Sequence, residues 1–372
     1  MTHIDSHCIT RYLICLAVLY FLCACGNGAG NASDSEACNP HSVSDESEYF
    51  SIDTQNNILT IKEAWNNGNC KSYDISSINA ERIVCMSSSH AAFLCELGCQ
   101  DKIVGIAGTR FIYNPQLQKR IQMGLIQEVG SESLPDYEMI IALKPTLVTA
   151  YGISGSDNSY IETLRRYGLT VLVLDDYLEA SPLGRMAYIK LFGAITGHME
   201  EADSIYNAGV GKYNAIRDSI AEAIGGSEKV KVLMNAPFKG IWYIPGGRNY
   251  TARMINDAGG QILGSNPDAV SSTTESLEKM LVLASEAQIW FNPNTATTIF
   301  EVIEQNPLLS DIPAVRNLQV YNNNLRQREN GGSDIWESGY VHPELILKDM
   351  AIILHPEIFN DNGKLFYHRK LQ

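Results

Sequence analysis

Two blocks of strand–helix alternation, parted by a long stretch without strand signal, constrain this chain more than any other feature. In the first block, residues 83–84, 103–106, 147–151 and 171–174 are short β-branched runs. Between them, residues 91–97 and 160–167 place apolar side chains three and four apart, the repeat of a helix face. Strands alternating with helices predict a parallel sheet flanked by helices. After Pro182 no strand signal occurs for more than forty residues. "PLGRMAYIKLFGAITG" is predicted as one helix closed by Gly197. "MEEADSIYNAGVGKYNAIRDSIAEAIGG" is predicted as a second, stopped by Gly225-Gly226. At about 1.5 Å per residue the second spans nearly 40 Å, longer than a small lobe is wide. Gly209 and Gly211 weaken its interior. The alternation then restarts, with strands at 230–234, 289–291 and 318–321 and helices at 249–258 and 343–354. Pro343 stands at the start of the last helix, where a missing N–H costs nothing. The expectation is two α/β lobes joined by a long helix, with the cleft between them as the natural ligand site.

Composition narrows the partners. A net charge of −14 argues against nucleic acid, whose phosphates need a basic surface. At the N-terminus, residues 12–22 form an apolar run behind Arg11, the length of a signal-peptide core and too short to span a membrane. The run ends in Leu22-Cys23-Ala24-Cys25, which resembles a bacterial lipobox with Cys25 as the lipidated residue. Residues 26–46 are a polar linker. Residues 47–78 alternate apolar and polar around Asn56-Asn57, predicting a small β-hairpin before the main fold. In an oxidising compartment Cys38 and Cys70 could pair. Cys95 and Cys99, four apart on a helix, read as small apolar residues. Scattered histidines and the lack of a Cys/His cluster leave no metal site to expect.

The turn Ser87-Ser88-Ser89-His90 stands where a strand hands over to a helix. A serine nucleophile of the α/β-hydrolase kind needs glycines two residues either side, and none is present. The turn reads instead as a helix cap, or as an anion contact at a helix N-terminus. Gly26-x-Gly28-x-Gly30 lies in the linker, without the flanking strand and helix of a dinucleotide loop. No catalytic residue is expected. "GIWYIPGG" and "GGSDIWESGYVHPE" read as glycine-rich loops carrying Trp242, Tyr243 and Trp336, which can stack on a bulky ligand or plug the ends of the lobes. Arg110, Arg326 and Arg328 add cations suited to carboxylate or catecholate groups.

Several stretches, taken together, resemble a known family. Residues 82–108, "YEMIIALKPTLVTAYG" (137–152), "NDAGGQIL" (256–263) and "SLEKML" (276–281) are similar in order and spacing to the periplasmic binding proteins that serve ABC importers of ferric siderophores, haem and cobalamin. "GGSDIWESG" and the hairpin resemble a Bacteroidetes-type lipoprotein branch. The resemblance implies two Rossmann-like lobes joined by a rigid helix, the class III binding-protein fold. Its divisions would be a leader at 1–25, a linker at 26–46, the hairpin at 47–80, an N-terminal lobe at 81–181, connecting helices at 182–228 and a C-terminal lobe at 229–372. From the loops, Arg110, Tyr113, Tyr151, Trp242, Tyr243, Arg326 and Trp336 are the expected ligand contacts. Tyr113, Tyr151 or Tyr243 would serve as an axial ligand were the solute haem. The resemblance also implies docking to the permease through Glu138 and Glu278, with Ser88 and Ala92 departing from the family's Ser-Pro-Ser-x-x-Glu turn. The expected role is capture of an iron chelate by a lipid-anchored periplasmic monomer that delivers it to a permease and its ATPase, without a cofactor. A corrinoid is the alternative within the family. An esterase using Ser87 to Ser89, a zinc or manganese binder and a non-transporting sensor are the readings outside it.

Overall fold

The computed structural model describes residues 47–153, 158–359 and 364–372. The leader, the linker and Cys25 lie outside them. An antiparallel sheet comes first: β1 (Phe50–Asp53), β2 (Ile58–Glu63) and β3 (Asn69–Asp74), in that order. The expected hairpin about Asn56-Asn57 is there, with Asn57 at φ 58°, but a third strand extends it. Two strands bury too little to hold by themselves, and the third also brings in Cys70. Cys70 is disulfide-bonded, and Cys38, its expected partner, lies outside the described residues. Cys85, Cys95 and Cys99 are free thiols.

The first lobe is a parallel sheet of β4 (Ile83–Cys85), β5 (Ile103–Ile106), β6 (Gln127–Glu128), β7 (Leu147–Ala150) and β8 (Val171–Val173), in the order β6-β5-β4-β7-β8. Apart from the short edge strand β6, every residue of these strands is buried, as expected of a sheet covered on both faces. The second lobe contains β9 (Val230–Met234), β10 (Ile241–Ile244), β11 (Gly260–Ile262), β12 (Thr273–Ser276), β13 (Ile289–Phe291), β14 (Val320–Asn322) and β15 (Arg369–Lys370). Its main sheet runs β11-β9-β13-β14-β15, parallel except for the edge strand β15, while β10 and β12 pair as a separate antiparallel ribbon. Setting aside the edge strand β6, in both main sheets the first strand lies between the second and the third, with the fourth beyond. That shared order puts a topological switch point at the carboxyl ends of β4 and β7 in one lobe and of β9 and β13 in the other, where a crevice opens.

The helices that bear on the cleft are α1 (Ser88–Glu96), α2 (Pro115–Gln122), α3 (Tyr137–Ala142), α4 (Ser159–Arg166), α5 (Pro182–Met186), α6 (Tyr188–Thr196), α7 (Met199–Ile224), α8 (Tyr250–Asp257) and α9 (Leu277–Ala284). The run after Ser181 is two abutting helices rather than the single one expected, the change falling at Ala187. The 26-residue α7 ends on Gly225 in the left-handed conformation (φ 55°). Gly209 inside it answers a packing need, since a Cβ there would sit 2.2 Å from Cε of Met186 on α5. The N-terminal sheet is fastened to the first lobe. Glu63 pairs with Arg165 of α4 at 2.5 Å, the Ala64 N–H donates to Asp175 at 3.0 Å, and the Trp65 ring covers Gly152 so closely that no Cβ would fit. Among the described residues no helix is long and apolar enough to cross a membrane.

Candidate functional site

Two adjoining chambers open at the strand ends. The first, about 530 Å³, lies between residues 177–180 and Arg185 on one side and, on the other, the start of α8, residues 270–272, Asn292, Asn323, Ile335, Trp336 and Tyr340. The second, about 510 Å³, lies over the carboxyl ends of β9, β13 and β14. Asn249, Thr251, Ser272, Asn292, Asn323 and Trp336 line both. Half-exposed Trp336 stands at this shared wall, its ring 6.0 Å from that of Tyr340. Each volume suits a drug-sized ligand, and the pair a larger one.

Arg185 is the one arginine or lysine among the described residues lining the first chamber. It is buried in α5, donates from Nε to the Asp176 carbonyl at 2.8 Å and from Nη2 to the Tyr177 carbonyl, and packs over both Tyr250 and Tyr340, each ring 4.4 Å away, where the two rings meet edge-on at 6.2 Å. It therefore ties the carboxyl end of β8 to aromatic side chains of the second lobe. The Tyr250 hydroxyl is buried without a partner, and burial raises its pKa. Glu179, on the same wall, accepts from the Ser47 hydroxyl and the Glu48 N–H with one oxygen and leaves the other unpartnered. Burial pushes its carboxyl up to about 7.

Asparagines mark the strand ends of the second lobe. Asn235 after β9 and Asn292 after β13 adopt left-handed backbone (φ 61° and 58°), as does Asn294 (φ 52°). Asparagine tolerates that conformation better than other residues with a Cβ. Two indoles hold the β9 end from beneath: Trp242 Nε1 donates to the Met234 carbonyl at 2.7 Å and Trp290 Nε1 to the Asn235 carbonyl at 2.6 Å.

In the first lobe, the Ser87 hydroxyl caps α1 by accepting from the Ser89 N–H at 3.3 Å. His90 is fully buried, with Nδ1 3.1 Å from the Thr149 hydroxyl and Nε2 3.4 Å from Asp176. Burial opposes the Asp176 charge, but the His90 hydrogen bond and the neighbouring Arg185 guanidinium outweigh it and lower its pKa. The serine turn is thus a cap above a buried polar network.

A seam joins the lobes beside the cleft. Glu337, 2% exposed, accepts from the Tyr113 N–H at 2.5 Å and the Asn114 N–H at 3.0 Å. Burial pushes its carboxyl up to about 7. Asn330 donates to the Arg110 carbonyl, and Arg328 to Gln118. His342 bridges Glu96 of α1 at 3.1 Å and Glu344 at 3.3 Å. Burial works against its charge, but these hydrogen bonds prevail and push it up to about 9.

The residues predicted from sequence divide accordingly. Trp336 and Tyr243 line the chambers. Trp242 does not: "GIWYIPGG" contains strand β10, whose alternation turns Trp242 and Ile244 inward and Ile241 and Tyr243 outward. Arg110, Tyr113 and Arg326 are absent from the described lining and belong to the seam. Arg326 is paired with Asp334 at 2.5 Å, its guanidinium over the rings of Tyr113 and Phe366. Tyr151 also lies outside the described lining, edge-on to Tyr177, which does line the first chamber. Glu138 and Glu278 are exposed in the first turns of α3 and α9, the helices leading into the equivalent strands β7 and β13. Arg185, Tyr250, Tyr340 and the strand-end asparagines escaped the sequence reading. A lone cation in an apolar helix (Arg185) and asparagines directly after strands were the signals available. Among the described residues no group of His, Cys, Asp and Glu could hold a metal ion.

A family model described as periplasmic binding protein matches residues 83–323. An uncharacterized lipoprotein of Methanocaldococcus jannaschii is 24% identical over 306 residues, covering 79% of this chain and 70% of the relative. A periplasmic heme binding protein from Pseudomonas aeruginosa superposes with a TM-score of 0.57 at 19% identity, covering 74% of this chain and 93% of the other. A periplasmic binding protein from Veillonella parvula gives 0.61 at 17% identity, covering 81% and 98%. The shared strand order, the crevice at its switch points and a match across most of the two lobes lead to one conclusion: the chain belongs to the periplasmic binding protein family, and is a solute-binding protein rather than an enzyme.

Proposed function

We propose that this chain is the substrate-binding lipoprotein of an ABC importer, that it captures a metal chelate in the inter-lobe cleft, and that it hands the chelate to the permease. The observation that carries the reading is the pair of adjoining chambers with Trp336 at their shared wall, large and aromatic enough for a bulky flat or globular chelate. Similarity to a protein described as heme binding supports the same class of ligand. The arginines that favoured an iron chelate from sequence lie in the seam, so ferric siderophore, haem and corrinoid all stay within the proposal. Cys25 would carry the lipid that holds the protein on a membrane facing the periplasm. Glu138 and Glu278, exposed at equivalent places in the two lobes, would meet permease cations and set the orientation of docking.

Native mass spectrometry of protein purified from its own cells tests the reading. A non-covalent adduct with the isotope signature of iron or cobalt is expected, released unchanged on denaturation. A metal-free adduct, or a ligand chemically altered by incubation with the protein, would refute it.

A further inference from the structure

The second chamber differs from the first in kind. The first has Glu179, Arg185 and His368 in its walls. The second has no acidic or basic side chain among its described lining residues, in a chain that is 19% charged. Its polar groups are neutral amides and hydroxyls, lining it together with Trp336 and Tyr243. Asn324 is 5% exposed and donates from Nδ2 to the Ala296 carbonyl at 3.2 Å, which fixes the amide's orientation. Its Oδ1 is buried without a partner, and so is Oδ1 of Asn292. A buried acceptor with no donor is destabilising until a donor arrives. A ligand anion placed here would meet two carbonyl oxygens and no cation. An uncharged group bearing N–H or O–H would satisfy both oxygens.

We propose that the second chamber is a charge-excluding subsite, which takes an uncharged, amide- or hydroxyl-bearing part of the ligand and reads it through the carbonyl oxygens of Asn292 and Asn324. The inference rests on the chelate-binding reading above and narrows it. Neutral chelates with donor groups on their periphery are preferred over polyanionic ones of similar size. The left-handed backbone at Asn292 (φ 58°) and the Asn324 hydrogen bond to the Ala296 carbonyl hold these two amides at the ends of β13 and β14.

Fluorescence titration of the full chain with four probes tests the proposal: cyanocobalamin, an uncharged ferric trihydroxamate, a trianionic ferric tris-catecholate and haemin. The tighter of the two neutral probes should bind at least about tenfold more tightly than either anionic one. Asn292→Gly keeps the left-handed backbone while removing the acceptor, and should weaken that neutral probe roughly fivefold. Thr295→Lys adds a cation at an exposed position lining only the second chamber, and should narrow the gap by strengthening the anionic probes. Equal or tighter binding of the anionic probes by the unmodified protein overturns the subsite while leaving the chelate reading in place. So does an unchanged preference in both variants. Binding of none of the four removes the chelate reading, and the subsite with it.

Discussion

Glu337 offers a test of how the lobes are held, because one buried carboxylate carries two contacts across the seam. It is 2% exposed, and both oxygens accept backbone N–H groups of the first lobe, from Tyr113 and Asn114. Burial nevertheless dominates and lifts its pKa from 4.5 to about 7. A carboxyl whose folded pKa is raised holds its proton more tightly in the fold. Its stabilising contribution is fully present below about 4.5 and is lost as pH climbs through about 7. At about 1.4 kcal/mol per pH unit, that displacement corresponds to about 3 kcal/mol between the two ends of the window. Glu337→Gln removes the titration. It also turns an amide NH2 toward one of the two N–H donors, which should cost about 1–3 kcal/mol at every pH. Urea unfolding of both proteins at pH 4.5 and pH 8.5 separates the two effects. The wild type should lose about 3 kcal/mol more than the variant over that interval. Asp175, Glu179 and His342, raised to about 6, 7 and 9, act with the same sign in both proteins and cancel in the comparison. An identical pH dependence in wild type and variant would show that Glu337 is not held in a burial-dominated site.

Trp336→Ala should weaken chelate binding by about 1–3 kcal/mol and remove most of the ligand-induced quenching. Trp242→Ala should instead cost about 3–5 kcal/mol of stability in thermal unfolding, because its indole is fully buried and holds the Met234 carbonyl. Arg185→Met leaves Asp176 buried without the neighbouring guanidinium and removes the cation contacts with Tyr250 and Tyr340, so denaturant unfolding should show a loss of about 3–5 kcal/mol. Cys25→Ser should move the protein from the membrane to the soluble fraction, and retention on washed membranes would contradict the lipid anchor. Reversing both Glu138 and Glu278 to Arg should leave chelate affinity nearly unchanged and sharply reduce uptake in cells. Normal uptake by that double variant would remove the docking assignment.

The layered fold was legible because buried parallel strands write themselves as β-branched runs, and runs at 103–106, 230–234 and 289–291 became β5, β9 and β13 with those bounds. The short edge elements were not. β6 and β15 have two residues each, too few for any periodicity to register, and they pair only because a neighbouring strand offers an open edge. The break between α5 and α6 was equally hidden, since Ala187 is itself helical in φ and ψ and no proline or glycine marks the change.

The site failed to read for a different reason. Sequence points to loops rich in arginine and aromatic residues, but it does not say which lobe surface each loop meets. Arg110, Arg326 and Arg328 read from sequence as loop cations near the cleft. Each instead lies in a loop that meets its counterpart from the other lobe, and Asn330, Gln118 and Glu337 turn that meeting into a seam. Trp242 and Trp336 looked alike from their glycine neighbours. They differ because "IWYI" forms strand β10, whose alternate residues face inward, while "DIWESG" is not a strand, so Trp242 is turned into the core and Trp336 is left half-exposed at the cleft. What replaced the arginines at the binding surface was also written in the chain, as "MNAPF", "FNPNT" and "YNNN" after three successive strands. Asparagine where a strand must turn sharply is a left-handed signal. Asn235, Asn292 and Asn294 follow that rule; with Asn323 and Asn324 after β14 they place amides at the carboxyl ends of β9, β13 and β14, a neutral chamber where the arginines had suggested a charged one.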